Sequence, residues 1–170
     1  MSKIAAAGLA FVGMMLFSLP MSAQFIPRGN VYLGAAYASS VDVTTRYDFK
    51  GWNASAEAIP FSRYSFLGFV VDASGYYRPG ISEYNFLGGI RIGFGNGKIR
   101  PFVHGLGGIK RIPVNGISYR PVAADIGGGL DYKLPIRNLS WRIQADYLHT
   151  NYLSASQDDV RASTGIVWRF

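Results

Sequence analysis

The chain has 170 residues, with 17 Lys and Arg against 10 Asp and Glu, a formal net charge of +7 and no cysteine. That length suits one domain, and the lack of thiols excludes both a disulfide framework and a thiolate metal site. The two histidines have no third ligand at recognisable spacing, and the positive charge is spread along the chain, so neither a metal site nor nucleic-acid binding is expected.

The first element is not part of the fold. Lys3 supplies a positive start, and Ile4 to Leu19 forms an apolar run containing Leu9, Phe11, Val12, Met14, Met15, Leu16 and Phe17. Pro20-Met21-Ser22-Ala23 then offers a small residue before a cut between Ala23 and Gln24. This is the pattern of a secretory signal peptide over 1–23, leaving 24–170 as the mature domain. The run is short for a membrane anchor, and no later segment reaches about 18 continuous apolar residues, so no spanning helix is predicted.

From there the hydrophobic period is two almost throughout, which predicts strands. Asn30 to Ala38 places Val31, Leu33, Ala35 and Tyr37 on one face. Gly51 to Ile59 sets Trp52, Ala54, Ala56 and Ala58 against Asn53, Ser55 and Glu57. Tyr64 to Ser74 sets Leu67, Phe69, Val71 and Ala73 against Gly68, Val70, Asp72 and Ser74, and Tyr84 to Phe94 sets Phe86, Ile90 and Ile92 against Asn85, Leu87 and Arg91. Ile99 to Ile109 is ambiguous, and Val103 outward with His104 inward is the better reading. Val122 to Leu134 opposes Ala124, Ile126, Leu130 and Tyr132 to Asp125, Asp131 and Lys133. Leu139 to Tyr147 alternates without a break, and Val160 to Phe170 sets Ile166, Trp168 and Phe170 against Arg161 and Arg169.

Eight strands of this length, each near the 9–11 residues a tilted strand needs to cross a bilayer, predict an all-β fold, an eight-stranded antiparallel up-and-down transmembrane β-barrel. Ser39–Phe49, Gly75–Glu83, Lys110–Tyr119 and Thr150–Asp159 are read as four longer loops, extracellular. Pro60–Arg63, Gly95–Gly97 and Pro135–Asn138 are read as short turns, which puts both termini on the periplasmic side. A soluble barrel or sandwich is disfavoured, because polar residues inside and apolar ones outside invert its usual arrangement. Tyr64, Phe66, Phe94, Tyr132, Trp141, Trp168 and Phe170 form one expected aromatic girdle. Tyr37, Phe49, Trp52, Tyr84, Phe86, Tyr119 and Tyr147 form the other. Gly93 to Lys98 lacks the spacing of a phosphate loop and reads as a hairpin turn. The Asn53-Ala54-Ser55 and Asn138-Leu139-Ser140 acceptor patterns lie in or beside strands and are discounted.

The terminal Val-Trp-Arg-Phe, the export signal and the strand count together resemble the small bacterial outer-membrane β-barrels, above all the eight-stranded transmembrane domain of outer membrane protein A. Asp125 to Tyr132 and Trp141 to Tyr147 look like later strands of that group. The resemblance implies a cell outer membrane location and a role for Ile166, Trp168 and Phe170 as the assembly signal read by the barrel assembly machinery. It further implies periplasmic chaperones as partners on the way, and a monomer. The chain stops at Phe170, so no peptidoglycan-binding domain is expected after the barrel.

Two sets of residues are expected to matter. An eight-stranded barrel is just wide enough for side chains to fill, and buried charge must be paired. Glu57, Asp72, Asp125 and Asp146 are therefore expected to pair with Arg91, Arg142 and Arg161 in a lumen network. The resemblance adds the use of such a network as a gate. Arg46, Lys50, Arg78, Lys110, Arg111 and Arg120 lie near the predicted outer rim, where they suit lipopolysaccharide phosphates. Some small outer-membrane barrels modify lipid A with a rim His and Ser. Here His149 is followed by Asn151 where a serine is needed, and Ser154 lies nearby. The expected role is thus structural or surface-interacting, without catalysis or cofactor, with a narrow porin-like pore as the alternative and a lipid A-modifying enzyme as a distant third.

Overall fold

The structure, a computed structural model, describes residues 28–170 except 43, 44, 96, 115, 116 and 152–155; the side chains of 41, 42, 45, 46, 62, 114 and 117 are also outside the description. The signal peptide expected over 1–23 lies outside the described residues. Strands β1 (Arg28–Asp42), β2 (Thr45–Ile59), β3 (Leu67–Arg78), β4 (Ile81–Gly93), β5 (Ile99–Val114), β7 (Val122–Lys133), β8 (Leu139–Asn151) and β9 (Ser156–Arg169) pair antiparallel with their neighbours. A short β6 (Ile117–Tyr119) pairs only with the far end of β5. β4 pairs with β5 and β9 pairs with β1, so eight strands close into an up-and-down barrel.

Alternation sets the facing. Leu33, Val71, Val122, Ile126 and Val160 stand exposed on the outer wall, while Asn30, Asn53, Asn85, Arg91, Asp131, Arg142 and Arg161 are buried inside. Val103 points out and His104 in, as the better of the two readings had it. The interior also holds Val70, Leu87, Leu106, Ala123 and Leu148 as one apolar cluster. Ala36, Ala38, Phe49 and Tyr76 make another.

Arg28 and Phe170 lie together at one rim, where Gly29 and Phe170 exchange backbone hydrogen bonds of 3.3 and 3.1 Å. The connections at that rim are the predicted short ones. The first contains a 3-10 turn at Ser62–Tyr64, so β3 begins at Leu67 rather than Tyr64. The β7–β8 turn turns on Asn138, whose φ of 66° is a left-handed conformation that asparagine tolerates.

The opposite rim differs from the expectation of four ten-residue loops. Pairing there runs on: Ser39 stays opposite Asp48 and Val41 opposite Arg46, β3 and β4 are paired to Arg78 and Ile81, and β8 and β9 to Asn151 and Ser156. These segments carry polar residues on both faces, which hides the period of two, yet most of their β1 and β2 residues are Ser, Thr, Val and Tyr, well suited to strands. Phe49, expected in the outer girdle, points inward and is buried against the Ala36, Ala38 and Tyr76 cluster.

Candidate functional site

The interior is built in levels. Nearest the rim that holds Arg28 and Phe170, Asp131 of β7 collects three guanidinium groups. Arg142 Nε donates to Asp131 Oδ1 at 2.6 Å and Arg142 Nη2 to Oδ2 at 3.0 Å. Arg91 Nη2 donates to Oδ2 at 3.0 Å, and Arg169 Nη2 to the same oxygen at 2.5 Å. Arg91 also donates to Glu57 Oε2 at 2.9 Å, while its guanidinium lies 3.5 Å from the centroid of the Phe102 ring. A cavity of about 710 Å³, lined in part by Glu57, Arg91, Arg100, Asp131 and Arg169, opens to this rim.

The middle level is centred on Arg161 of β9. Its Nη2 donates to Asp125 Oδ2 at 2.6 Å and lies 3.5 Å from Asp146 Oδ2. His104 Nε2 lies 3.2 Å from Asp125 Oδ1 and 3.1 Å from Asp146 Oδ1. Asp72 accepts from Asn53 at 2.7 Å. Tyr32 donates its hydroxyl to Ser163 at 2.9 Å, across the β1–β9 closure.

The third level is a lysine. Lys110 Nζ is bonded to Glu83 Oε2 at 2.8 Å and Asp159 Oδ2 at 2.6 Å, and the residue is 0% exposed. This corrects its assignment to the rim. With Val103 outward, alternation along β5 turns Lys110 inward, and an amine there must be paired.

All seven residues expected in the lumen network face the interior. Glu57 meets Arg91, and Asp125 and Asp146 meet Arg161, whereas Asp72 is bonded to an asparagine, and Arg142 pairs with Asp131. Asp131, His104, Glu83 and Asp159 complete the pairs and were not in the expected set. Asp131 and Arg142 are direct cross-strand neighbours. That relation depends on the β7–β8 register, which alternation alone does not supply.

Of the rim cations, Lys50, Arg111 and Arg120 are exposed, and Arg111 donates to Ser118 at 3.0 Å. Arg78 is half-buried, its guanidinium 4.2 Å from the centroid of the Tyr47 ring. The side chain of Arg46 lies outside the described residues. On the outer wall His149 Nδ1 sits 2.7 Å from Asp158 Oδ1, which places an acid behind the imidazole. Asn151 stands two residues on, where the lipid A-modifying pattern considered above has its serine, and Ser154 lies outside the described residues. Ile166, Trp168 and Phe170 are exposed on the outer wall, with the Trp168 and Phe170 rings 5.6 Å apart.

Neisserial surface protein A has the same architecture: it superposes with a TM-score of 0.69 at 16% identity, over 84% of this chain and 97% of that one. The fold is that of the small outer-membrane β-barrels. The N-terminal β-barrel domain of Pseudomonas aeruginosa OprF is similar at a TM-score of 0.57 and 17% identity, over 84% and 99% of the two chains. Ail, the attachment invasion locus protein of Yersinia pestis, is similar at 0.55 and 15%, over 86% and 100%, and has also been solved with the heparin analogue sucrose octasulfate. The outer membrane enzyme PagL is similar at 0.51 and 11%, over 79% and 97%. No protein-family model matches the sequence, and no curated protein does.

Proposed function

We propose that this protein is an outer-membrane barrel with a structural or surface-interaction role, its lumen plugged by paired charges. The observation that carries this reading is the inversion of polarity between wall and interior. Large apolar residues stand exposed around the wall, while Arg142, Asp131, Arg161, Asp125 and Lys110 are sealed inside. A continuous apolar belt on a soluble protein would drive association, whereas in a bilayer it is the solvated surface. The rim that holds Arg28 and Phe170 is the periplasmic one in this reading, and Ile166, Trp168 and Phe170 serve assembly.

The lumen reading rests on the pairing of its charges and on the apolar cluster of Val70, Leu87, Leu106 and Leu148 that shares the interior. Planar-bilayer conductance of the refolded protein tests it. Absent or rare small steps are expected. Steady steps that change on replacing Arg91 or Arg142 would establish the alternative, a narrow pore gated by its internal charges.

A second element of the reading concerns the exposed rim. Lys50, Arg111 and Arg120 are exposed at the rim opposite Arg28 and Phe170; in this reading lipopolysaccharide phosphates lie at that level, and charge-assisted contacts suit them. The sulfated ligand solved with Ail gives a parallel for polyanion binding on this fold. Catalysis is not part of the proposal, because the His149–Asp158 pair has Asn151 where the nucleophile belongs.

A further inference from the structure

One meeting of side chains in the middle level leaves a buried carboxylate oxygen without a hydrogen bond. His104 on β5 and Asp146 on β8 are both cross-strand neighbours of Gly127 on β7. A Cβ at Gly127 would collide with Asp146 Oδ1 and with His104 Nε2. The missing side chain is the gap through which imidazole and carboxylate reach each other over the intervening strand. Asp125, two residues before Gly127 and so on the same face of β7, brings its own Oδ1 to the same place. His104 Nε2 lies 3.1 Å from one carboxylate oxygen and 3.2 Å from the other, with all three ligand atoms within 4.8 Å of one another.

A single ring nitrogen carries one hydrogen or one lone pair, so it gives at most one full hydrogen bond to the two oxygens. Asp146 Oδ1 is left without a hydrogen bond, although its side chain is only 3% exposed. The second oxygen of each carboxylate is held elsewhere. Arg161 Nη2 takes Asp125 Oδ2 at 2.6 Å and reaches Asp146 Oδ2 at 3.5 Å, and Gln144 Nε2 donates to Asp146 Oδ2 at 3.2 Å. Such outer partners are what orient metal ligands, and here they turn both Oδ1 atoms toward the imidazole.

We propose that His104, Asp125 and Asp146 form a buried binding site for a divalent transition-metal ion of the zinc class, tying β5, β7 and β8 together inside the barrel. Zinc ligands at about 2.0–2.1 Å in tetrahedral geometry stand roughly 3.3 Å apart, close to the spacing His104 keeps from both oxygens. One imidazole with two carboxylates is a donor set that zinc accepts. Charge agrees. Asp146 is joined through Gln144 and Asn53 to Asp72, and through Arg161 to Asp125, so three carboxylates share this level with the guanidinium of Arg161. With a neutral imidazole, as ligation requires, a divalent cation balances them.

The sequence offered no such site, because its ligands come from three strands with no recognisable spacing. His149, the chain's other histidine, supplies the control, since its pair with Asp158 lies on the exterior.

Titrating Zn²⁺ alone into the chelator-treated protein, refolded in detergent micelles, tests the proposal. One equivalent is expected to bind, with affinity falling by about 100-fold or more in His104→Gln and in Asp146→Asn and unchanged in His149→Gln. In the unmutated protein, Zn²⁺ is expected to move the imidazole nitrogen resonances of His104 and leave those of His149 in place, a readout that does not depend on any variant folding. No saturable binding, or binding that shifts only His149, would overturn the site and leave the three residues as an ion-pair cluster.

Discussion

Arg142 grips Asp131 through both carboxylate oxygens, Nε to Oδ1 at 2.6 Å and Nη2 to Oδ2 at 3.0 Å, with both side chains buried. The side-on fork is the strong form of the pair, and Arg91 and Arg169 add to the same carboxylate. Asp131 thus meets all three guanidiniums, with Glu57 as a second partner for Arg91. Asp131→Asn removes that charge and leaves the arginines facing each other. Breaking a buried pair from one side is destabilising by about 3–5 kcal/mol. Urea unfolding of the refolded barrel is expected to show a loss of that order. Arg169→Gln, at a side chain 25% exposed, is expected to lose clearly less.

Lys110 separates two uses of positive charge at the same end of the barrel. It is sealed between Glu83 and Asp159, whereas Arg111 and Arg120 are exposed. Lys110→Met leaves two carboxylates without their cation, so a lower unfolding midpoint is expected, with lipopolysaccharide binding unchanged. Replacing Arg111 and Arg120 together with Gln is expected to do the reverse: stability within about 0.5 kcal/mol of wild type, as for most surface changes, and weaker binding. A pull-down on immobilised lipopolysaccharide, run beside unfolding curves, distinguishes them.

Much of this arrangement is legible in the sequence. A period of two turns Ser140, Arg142, Gln144 and Asp146 of β8 and most of β7 inward without reference to any partner, whereas Leu148 and Thr150, buried in the same interior, lie past the predicted strand. It cannot say which residues meet across the barrel, because that depends on register and shear. Arg142 is visibly inward, yet its choice of Asp131 requires the β7–β8 register. Lys110 was misplaced for a different reason: beyond Ile109 both faces of β5 carry polar or charged residues, the contrast vanishes, and a paired strand reads as a loop. His104 was correctly turned inward, but its two aspartates come from other strands.

Two facing glycines close the barrel. Gly34 of β1 and Gly165 of β9 are cross-strand partners. The Tyr32 ring lies over Gly34, so a Cβ there would strike its hydroxyl, and a Cβ at Gly165 would strike Leu33 O and Gly34 Cα. The second collision is with backbone and cannot be relieved by a rotamer, so the strands would have to part where the first meets the last. Gly165→Val is expected to lower the yield of folded, heat-modifiable barrel on gels sharply. Gly105→Ala, which meets nothing within 4 Å, is expected to fold as wild type.

Ile126 tests what surrounds the barrel. It is 67% exposed and carries no polar duty. If the wall faced water, Ile126→Arg would be an ordinary surface change, within about 0.5 kcal/mol of neutral. If the wall faces hydrocarbon, an arginine near mid-depth is destabilising by about 2–4 kcal/mol, falling toward zero near the interfaces. Ile126 is flanked across the sheet by Gly105 and Tyr147, between the two rims. The substitution is expected to weaken the barrel by the larger amount when folding is measured in lipid vesicles. Tyr132→Arg, nearer the rim that holds Arg28 and Phe170, is expected to have a smaller effect. A flat response at both positions would mean that the apolar belt does not face a bilayer.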